Sequence, residues 1–333
     1  MSLQRAAAFA PSNIALTKYW GKRDHDLNLP LAPSISVTLS DLGSLTVVQP
    51  EPQLQDDVMV VDDRELDVAG MAKVRRVLGM VRELAGSEVK AGLRSVNTVP
   101  TARGLASSAS AFAALATAAA QAYGLQLDHA ALSRLARSGS GSAARSIDGG
   151  FVIWHRGEAP DGSDSYAEQL FAADHWPLRV LVARVHDGPK KVSSTLGMRM
   201  SGGATAPYAD AWIAQCHRDV EACREALAAK SMAKLAEVVE GNALAMHATM
   251  MANRPPLLYW QPATVALIHT VRQLRAEGAE CCLTIDAGSS VVVLVEAQDA
   301  RAVADALAAI DGIEEVLQTR IGEGARLIPS DEA

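Results

Sequence analysis

The stretch Pro100-Thr-Ala-Arg-Gly-Leu-Ala-Ser-Ser-Ala-Ser110 joins an apolar run at residues 93–99 to an alanine-rich run at 105–123 that Gly124 can end, so it reads as a strand-to-helix turn. A second stretch, Arg137-Ser-Gly-Ser-Gly-Ser-Ala-Ala-Arg-Ser146, follows a helix that Asp128 can cap and precedes the apolar strand Phe151-Val-Ile-Trp154. Small residues in both let an oxyanion approach backbone N–H groups, and the free N–H groups of a following helix favour negative charge. The implied ligand is phosphorylated. Residues 104–108 lack the Gly-Lys-Ser/Thr ending of a Walker A loop and the dinucleotide glycine spacing, so a different phosphate fold is needed. Two plainer readings stay open: Ser107 and Ser108 as mere helix caps, and residues 138–142 as a flexible linker.

Outward from these loops, residues 45–48 and 58–61 read as strands around a polar turn, and residues 71–84 as a covering helix. Residues 177–185 form a further apolar strand, after which Asp187-Gly-Pro189 is a strong breaker. A domain boundary is therefore expected there, giving domains 1–185 and 186–333. Downstream come helical stretches at 208–228 and 232–251, a proline-rich break at 254–262, then helix, strand, strand, helix and strand across 264–318. An α+β second domain fits this pattern.

With 333 residues and 49% hydrophobic content, the chain can bury a substantial core in one large or two coupled domains. A formal charge of −7 argues against a broad nucleic-acid surface, which relies on clustered Lys and Arg. No run of about 18 apolar residues and no signal peptide is visible, so no membrane partner is expected and cytoplasmic residence is the default. Cys216, Cys223, Cys281 and Cys282 lack zinc-knuckle spacing and read as buried thiols, with no structural metal expected.

Asn13-Ile-Ala-Leu-Thr-Lys-Tyr-Trp-Gly-Lys-Arg-Asp24 runs an apolar strand directly into Lys18, Tyr19, Trp20 and Lys22, a mix that suits binding as well as a strand end with snorkelling lysines. In Thr284-Ile-Asp-Ala-Gly-Ser-Ser290, a carboxylate directly follows an apolar strand. Asp286 is thus the best acid/base candidate, its alternative being an ordinary turn aspartate. Arg145 can grip a carboxylate with two parallel hydrogen bonds. Lys190-Lys-Val-Ser-Ser-Thr195 offers cations and hydroxyls to a second phosphate cluster, or is a solvated loop.

Together these segments, with Ser34-Ile-Ser-Val-Thr-Leu39 and Pro255-Pro-Leu-Leu-Tyr-Trp260, resemble the mevalonate diphosphate decarboxylases of the GHMP kinase superfamily. The resemblance covers most of the chain, in family order. It implies a two-domain α+β GHMP kinase fold: a first domain like domain 2 of ribosomal protein S5, with a left-handed βαβ unit against the usual rule, and a ferredoxin-like second domain. It further implies ATP-dependent decarboxylation of mevalonate 5-diphosphate to isopentenyl diphosphate through phosphorylation of the C3 hydroxyl, with ATP as co-substrate, Mg²⁺ present and no redox cofactor.

By position, the resemblance makes Asp286 the group at the C3 hydroxyl, Lys18 its partner or a stabiliser of the transferring phosphoryl, and Arg145 the holder of the C1 carboxylate. Tyr19, Lys22, Ser140, Ser142, Lys190 and Ser194 would surround the substrate diphosphate. Pro100, Gly104, Leu105, Ala106, Ser107 and Ser108 would bind ATP, the two serines also contacting magnesium. Homodimers are a family expectation.

Three departures from the family pattern are visible: Arg103, Ala144 and Ser289-Ser290. The rival readings are a mevalonate 5-monophosphate decarboxylase, which needs fewer diphosphate contacts, a GHMP small-molecule kinase that stops after phosphorylation, and a silent ATP-binding sensor. Retention of Lys18, Asp286 and Arg145 speaks against the last two, and Lys22 with Lys190 favours the diphosphate.

Overall fold

The computed structural model describes residues 3–98, 107–186, 192–201 and 206–329. From the N-terminus the chain runs through β1 (Ala6–Ala15), the ribbon β2 (Lys22–Asp24) and β3 (Leu29–Pro30), then β4 (Ser34–Pro50), β5 (Val58–Val61) and β6 (Arg64–Glu65). Next come α1 (Val68–Ala85), β7 (Ala91–Asn97), α2 (Ser107–Ala122), α3 (His129–Gly139), a 3-10 turn at Gly141–Ser146, β8 (Phe151–Trp154) and β9 (Ala167–Phe171). The remainder is β10 (Arg179–Val185), α4 (Ser194–Met200), α5 (Ala209–Ala228), α6 (Met232–Met251), α7 (Pro262–Ala276), β11 (Cys281–Ile285), β12 (Val291–Val295), α8 (Ala300–Ala308), β13 (Ile313–Arg320) and β14 (Arg326–Ile328).

The first sheet has the order β14-β1-β4-β7-β5-β6, with β8 and β9 branching from β4. Residues 45–48 and 58–61 are strands as expected, but they do not form a hairpin. β7 lies between them, antiparallel to β4 and parallel to β5, because α1 carries the chain back across the sheet. Asp67 starts α1 by accepting from Gly70 N, Gly86 ends it in the left-handed region at φ 60°, and the helix buries Met71, Val74, Val77, Leu78 and Val81. All the alanines of α2 but Ala111 are buried, since small side chains let this helix lie close between the sheet and its neighbouring helices.

The second sheet is β11-β12-β10-β13, wholly antiparallel, within the β-α-β-β-α-β succession of a ferredoxin-like domain. Its runs Cys281–Ile285 and Val291–Val295 are apolar without alternation because both faces are covered. One face packs on α7 and α8; the other meets α5, α6 and residues of the first sheet. Hydrogen bonding puts β10 in this sheet and returns β14 to the first, antiparallel to β1. A division by sheet membership therefore falls before Arg179 and gives the last strand to the first domain, whereas the breaker at 187–189 suggested a cut after residue 185.

Ile14, Val37, Leu39 and Phe151 from the first sheet share one core with Val180, Val182, Val220, Leu235 and Leu294. That common apolar core fixes the two domains against each other, so groups at the ends of β1 and β11 meet in a defined geometry. All four cysteines are buried. Among the described residues no helix is long and apolar enough to cross a membrane.

Candidate active site

β1 stops at Ala15, and the next two residues, Leu16 and Thr17, both send their backbone N–H to Ile35 O at 2.8 and 3.2 Å. The chain has by then left the ladder, so the Lys18 N–H must find another acceptor, which is Asn242 Oδ1 on α6 at 2.7 Å. Gly21, at φ 107°, completes the turn in a conformation other residues avoid, and Trp212 Nε1 on α5 donates to Trp20 O at 2.9 Å. Lys18 is thus aimed inward, where its Nζ donates to Ala15 O at 2.8 Å and to Asp286 Oδ1 at 2.6 Å. Burial pulls the ammonium below its usual pKa, the Asp286 carboxylate opposes that, and Arg145 adds a smaller repulsion.

Asp286 follows the last residue of β11, in a turn closed by Gly288 N donating to Asp286 O at 2.6 Å. The same carbonyl lies 3.1 Å from His247 Nε2, so this nitrogen carries the proton. Burial, and then the Lys18 charge, hold the imidazole down at about 4 and keep it neutral. Behind the turn, Thr264 Oγ1 donates to Ser289 O at 2.7 Å, and Val185 N donates to Ser290 Oγ at 3.4 Å. The two serines that depart from the family pattern thus anchor the Asp286 loop. The side chain of Lys18 is 1% exposed and that of Asp286 44%, which sets an accessible carboxylate in front of an enclosed ammonium.

Arg145 is buried in the 3-10 turn. Its Nε and one terminal nitrogen donate to Asn13 Oδ1 at 3.2 and 3.1 Å, and the other terminal nitrogen to Ser34 Oγ at 2.6 Å. Among the described residues three of its five N–H groups are engaged, leaving two for a ligand. Burial lowers its pKa to about 10, against the pull of Asp286 and Tyr19, so it stays charged near neutrality. Asn13 also donates to Ser142 O and Ser146 Oγ, so the Ser-Gly segment is an ordered wall and not a linker. Tyr19 stands edge-on to Trp154 at 4.7 Å, and a Cβ on Gly141 would come within 2.5 Å of its hydroxyl oxygen. Among the described residues that buried hydroxyl has no hydrogen-bond partner.

Lys22 donates to Asn28 Oδ1 at 2.5 Å. Burial first, and then the charges of Lys73, Arg199 and Arg76, lower its pKa to about 8. This electropositive corner suits a multiply charged anion. Ser140 Oγ lies 3.5 Å from Ser142 Oγ and 3.4 Å from Ser108 Oγ, so the start of α2 touches the Ser-Gly segment. Ser194 sits exposed at the start of α4, which Ser193 caps and whose Arg199 acts on Lys22. Pro100, Arg103, Gly104, Leu105, Ala106 and Lys190 lie outside the described residues, as does the side chain of Ser107.

Among the described residues no group of three or more His, Cys, Asp or Glu could cage a metal. The exposed Ser108 hydroxyl instead suits magnesium, which is commonly held by few protein groups together with phosphates and water. Asn13, Ser34, Asn242, His247, Lys73 and Arg199 are site residues that motif reading passed over. Asn13 carried a signal, as a polar residue near the end of a mostly apolar strand, whereas Ser34 is one of many hydroxyl residues in β4. Asn242 and His247 had only their place in a helix of mixed composition.

Residues 10–167 match the family described as diphosphomevalonate decarboxylase-like N-terminal domain, and residues 180–328 that described as mevalonate 5-diphosphate decarboxylase C-terminal domain. A diphosphomevalonate decarboxylase of Candida albicans is 34% identical over 349 residues, spanning 96% of this chain and 96% of its own. The crystal structure of mevalonate diphosphate decarboxylase from Staphylococcus aureus superposes with a TM-score of 0.92 at 37% identity, over 98% of this chain and 99% of that one. A second solved structure, MDDEF in complex with MVAPP, AMPPCP and magnesium, gives a TM-score of 0.91 at 38% identity, over 99% and 100% of the two chains.

Proposed function

The chain belongs to the diphosphomevalonate decarboxylase family, and from that premise we infer that it converts mevalonate 5-diphosphate and ATP to isopentenyl diphosphate, ADP, phosphate and carbon dioxide. The observation that carries this reading is the 2.6 Å contact between Lys18 of the first domain and Asp286 of the second, with a buried Arg145 acting on both.

A tertiary hydroxyl is a poor leaving group, so the carboxylate cannot be lost until that oxygen is phosphorylated. Asp286 accepts a hydrogen bond from the C3 hydroxyl and takes its proton as the oxygen attacks the γ-phosphorus and the bond to ADP breaks. Lys18 holds Asp286 in place and offsets charge on the transferring group. When the C3–O bond then breaks, phosphate leaves with the electron pair. The C1–C2 bond supplies electrons for the new C2=C3 double bond, and carbon dioxide departs. Arg145 uses its two remaining N–H groups to hold the C1 carboxylate until that step. Magnesium neutralises phosphate charge when bound with ATP, and Ser107 and Ser108 are the residues that would hold it.

Tyr19, Lys22, Ser140, Ser142, Lys190 and Ser194 take the substrate diphosphate, and residues 100–108 take ATP. The diphosphate is favoured over the monophosphate because Lys22, whose pKa is lowered first by burial, has the further cations Lys73, Arg199 and Arg76 around it, a concentration of positive charge that suits the more highly charged anion. In the same reading the enzyme is a cytoplasmic homodimer, which sedimentation of the purified protein and fractionation of cells would check.

The decisive test supplies ATP, Mg²⁺ and either mevalonate phosphate, with carbon dioxide and ADP assayed separately. Equal release of both from the diphosphate is expected. Carbon dioxide from the monophosphate alone would reverse the substrate assignment, and ADP without carbon dioxide would make the protein a kinase.

A further inference from the structure

The Lys18 backbone and Asp219 both select one orientation of the buried Asn242 amide, which also bonds the Cys216 side chain. On one side the Lys18 backbone N–H, which can only donate, meets Asn242 Oδ1 at 2.7 Å. On the other, Asn242 Nδ2 donates to Asp219 Oδ2 at 2.8 Å, and the second oxygen of Asp219 accepts from Gln215 Nε2 at 2.5 Å. The Lys18 N–H requires the amide oxygen on its side, and Asp219 Oδ2 accepts from the amide nitrogen on the other, so both partners select the same orientation. Asn242 is fully buried and Asp219 nearly so, hence water cannot substitute for either partner without rearrangement.

Gln215 and Asp219 belong to α5 and Asn242 to α6, both packed in the core that joins the two domains. The Lys18 segment has no strand ladder of its own to fix it. Ile35 holds the chain just before Lys18 and Trp212 of α5 holds Trp20 O just after it, while at Lys18 itself the backbone N–H is held by the Asn242 amide of α6. A shift of the Lys18 backbone would move the ammonium away from Asp286, whose own carbonyl is held by His247 of the same α6. Side-chain placement of about 1 Å is enough to change a reaction rate by about 100-fold.

We propose that Asn242, oriented by Asp219, is a positioning residue that sets the Lys18 ammonium against Asp286 and so governs turnover, an inference that rests on the role given to Lys18 above.

The test is a kinetic double-mutant cycle on the full-length enzyme with mevalonate 5-diphosphate and ATP. Asn242→Ala is expected to lower kcat by about 10- to 100-fold with both KM values changed less than about threefold. In a Lys18→Met background the same substitution should change kcat by less than about twofold, because the group it positions is gone. An equal loss in both backgrounds would overturn the proposal and mark Asn242 as merely structural. Near wild-type kcat for Lys18→Met alone would instead overturn the assigned role of Lys18.

Should Asn242→Ala fail to fold, the polarity swap decides the matter. Asp219→Asn alone should lower kcat, and Asp219→Asn combined with Asn242→Asp should recover most of it, since a carboxylate at 242 accepts from Lys18 and an amide at 219 can donate to it. A double variant slower than both single ones would refute the orienting role.

Discussion

Lys22 makes the charge of the diphosphate corner depend on pH within an accessible range. Burial and the cations Lys73, Arg199 and Arg76 bring its pKa to about 8 in the free protein. A lysine is charged below its pKa, so the binding-competent ammonium is lost as pH rises. At a pKa of about 8, roughly nine-tenths of the molecules carry the charge at pH 7 and roughly one-tenth at pH 9. If one charged Lys22 is required for productive capture, kcat/KM for mevalonate 5-diphosphate should fall about tenfold between those two values, with a limiting slope of one. Bound diphosphate favours the ammonium, so kcat at saturation should hold to higher pH than kcat/KM does. Lys22→Arg keeps a positive charge throughout and should lose the alkaline limb while lowering the plateau, because a guanidinium does not reproduce the contact with Asn28. Steady-state assays from pH 6.5 to 9.5 at constant ionic strength measure both. An unchanged alkaline limb in Lys22→Arg, or a flat profile in the wild type, would refute the reasoning.

Four further outcomes follow from the same geometry. Lys18→Met should lower kcat by roughly 10²- to 10³-fold in a carbon dioxide release assay, because a buried charge aimed at the reacting group is removed. His247, about 4 in the folded protein against 6.5 when unfolded, binds its proton first in the unfolded chain, so stability should fall by about 3 kcal/mol as pH drops from about 6.5 to 4. Urea unfolding across that range should show this slope, and His247→Asn should flatten it. Gly141→Ala would put a methyl group 2.5 Å from the Tyr19 hydroxyl oxygen, and displacing that ring from Trp154 should raise KM for the phosphorylated substrate several-fold and lower stability by about 1–3 kcal/mol, read as a lower thermal midpoint. Arg145→Lys cannot satisfy Asn13 and Ser34 while holding a carboxylate, so kcat/KM should fall by about 100-fold or more.

Periodicity and breakers located most of the elements because local physics decides them. Asp128 caps α3, Met232–Met251 is a helix, and the helix-strand-strand-helix-strand order of the last third stands as read. The pairing of β4 with β7, and not with β5, was illegible because two strands joined by a polar turn look alike whether or not a third strand inserts between them. Sheet membership of β10 was hidden for a similar reason: Asp187-Gly-Pro189 marks where a strand ends, not which sheet it joined.

At the site, Lys18 and Asp286 stood out as charged residues at the ends of apolar runs, and Arg145 as a guanidinium closing the Ser-Gly segment. The structure brings Lys18 and Asp286 into contact and sets Arg145 close enough to act on both. Their supports did not stand out. Asn242 acts across 224 positions of sequence on a backbone N–H, and Arg199 acts on Lys22 through space, so neither leaves a motif.

The central claim is that Asp286, backed by Lys18, drives phosphoryl transfer to the C3 hydroxyl before carbon dioxide can leave. Single-turnover release of ADP and carbon dioxide by Asp286→Asn, with mevalonate 5-diphosphate and ATP both bound at saturation, tests it most directly. The account predicts that both products slow together by about 10³-fold or more while substrate binding by calorimetry persists. Turnover near the wild-type rate, or a rapid burst of ADP with only carbon dioxide delayed, would contradict it.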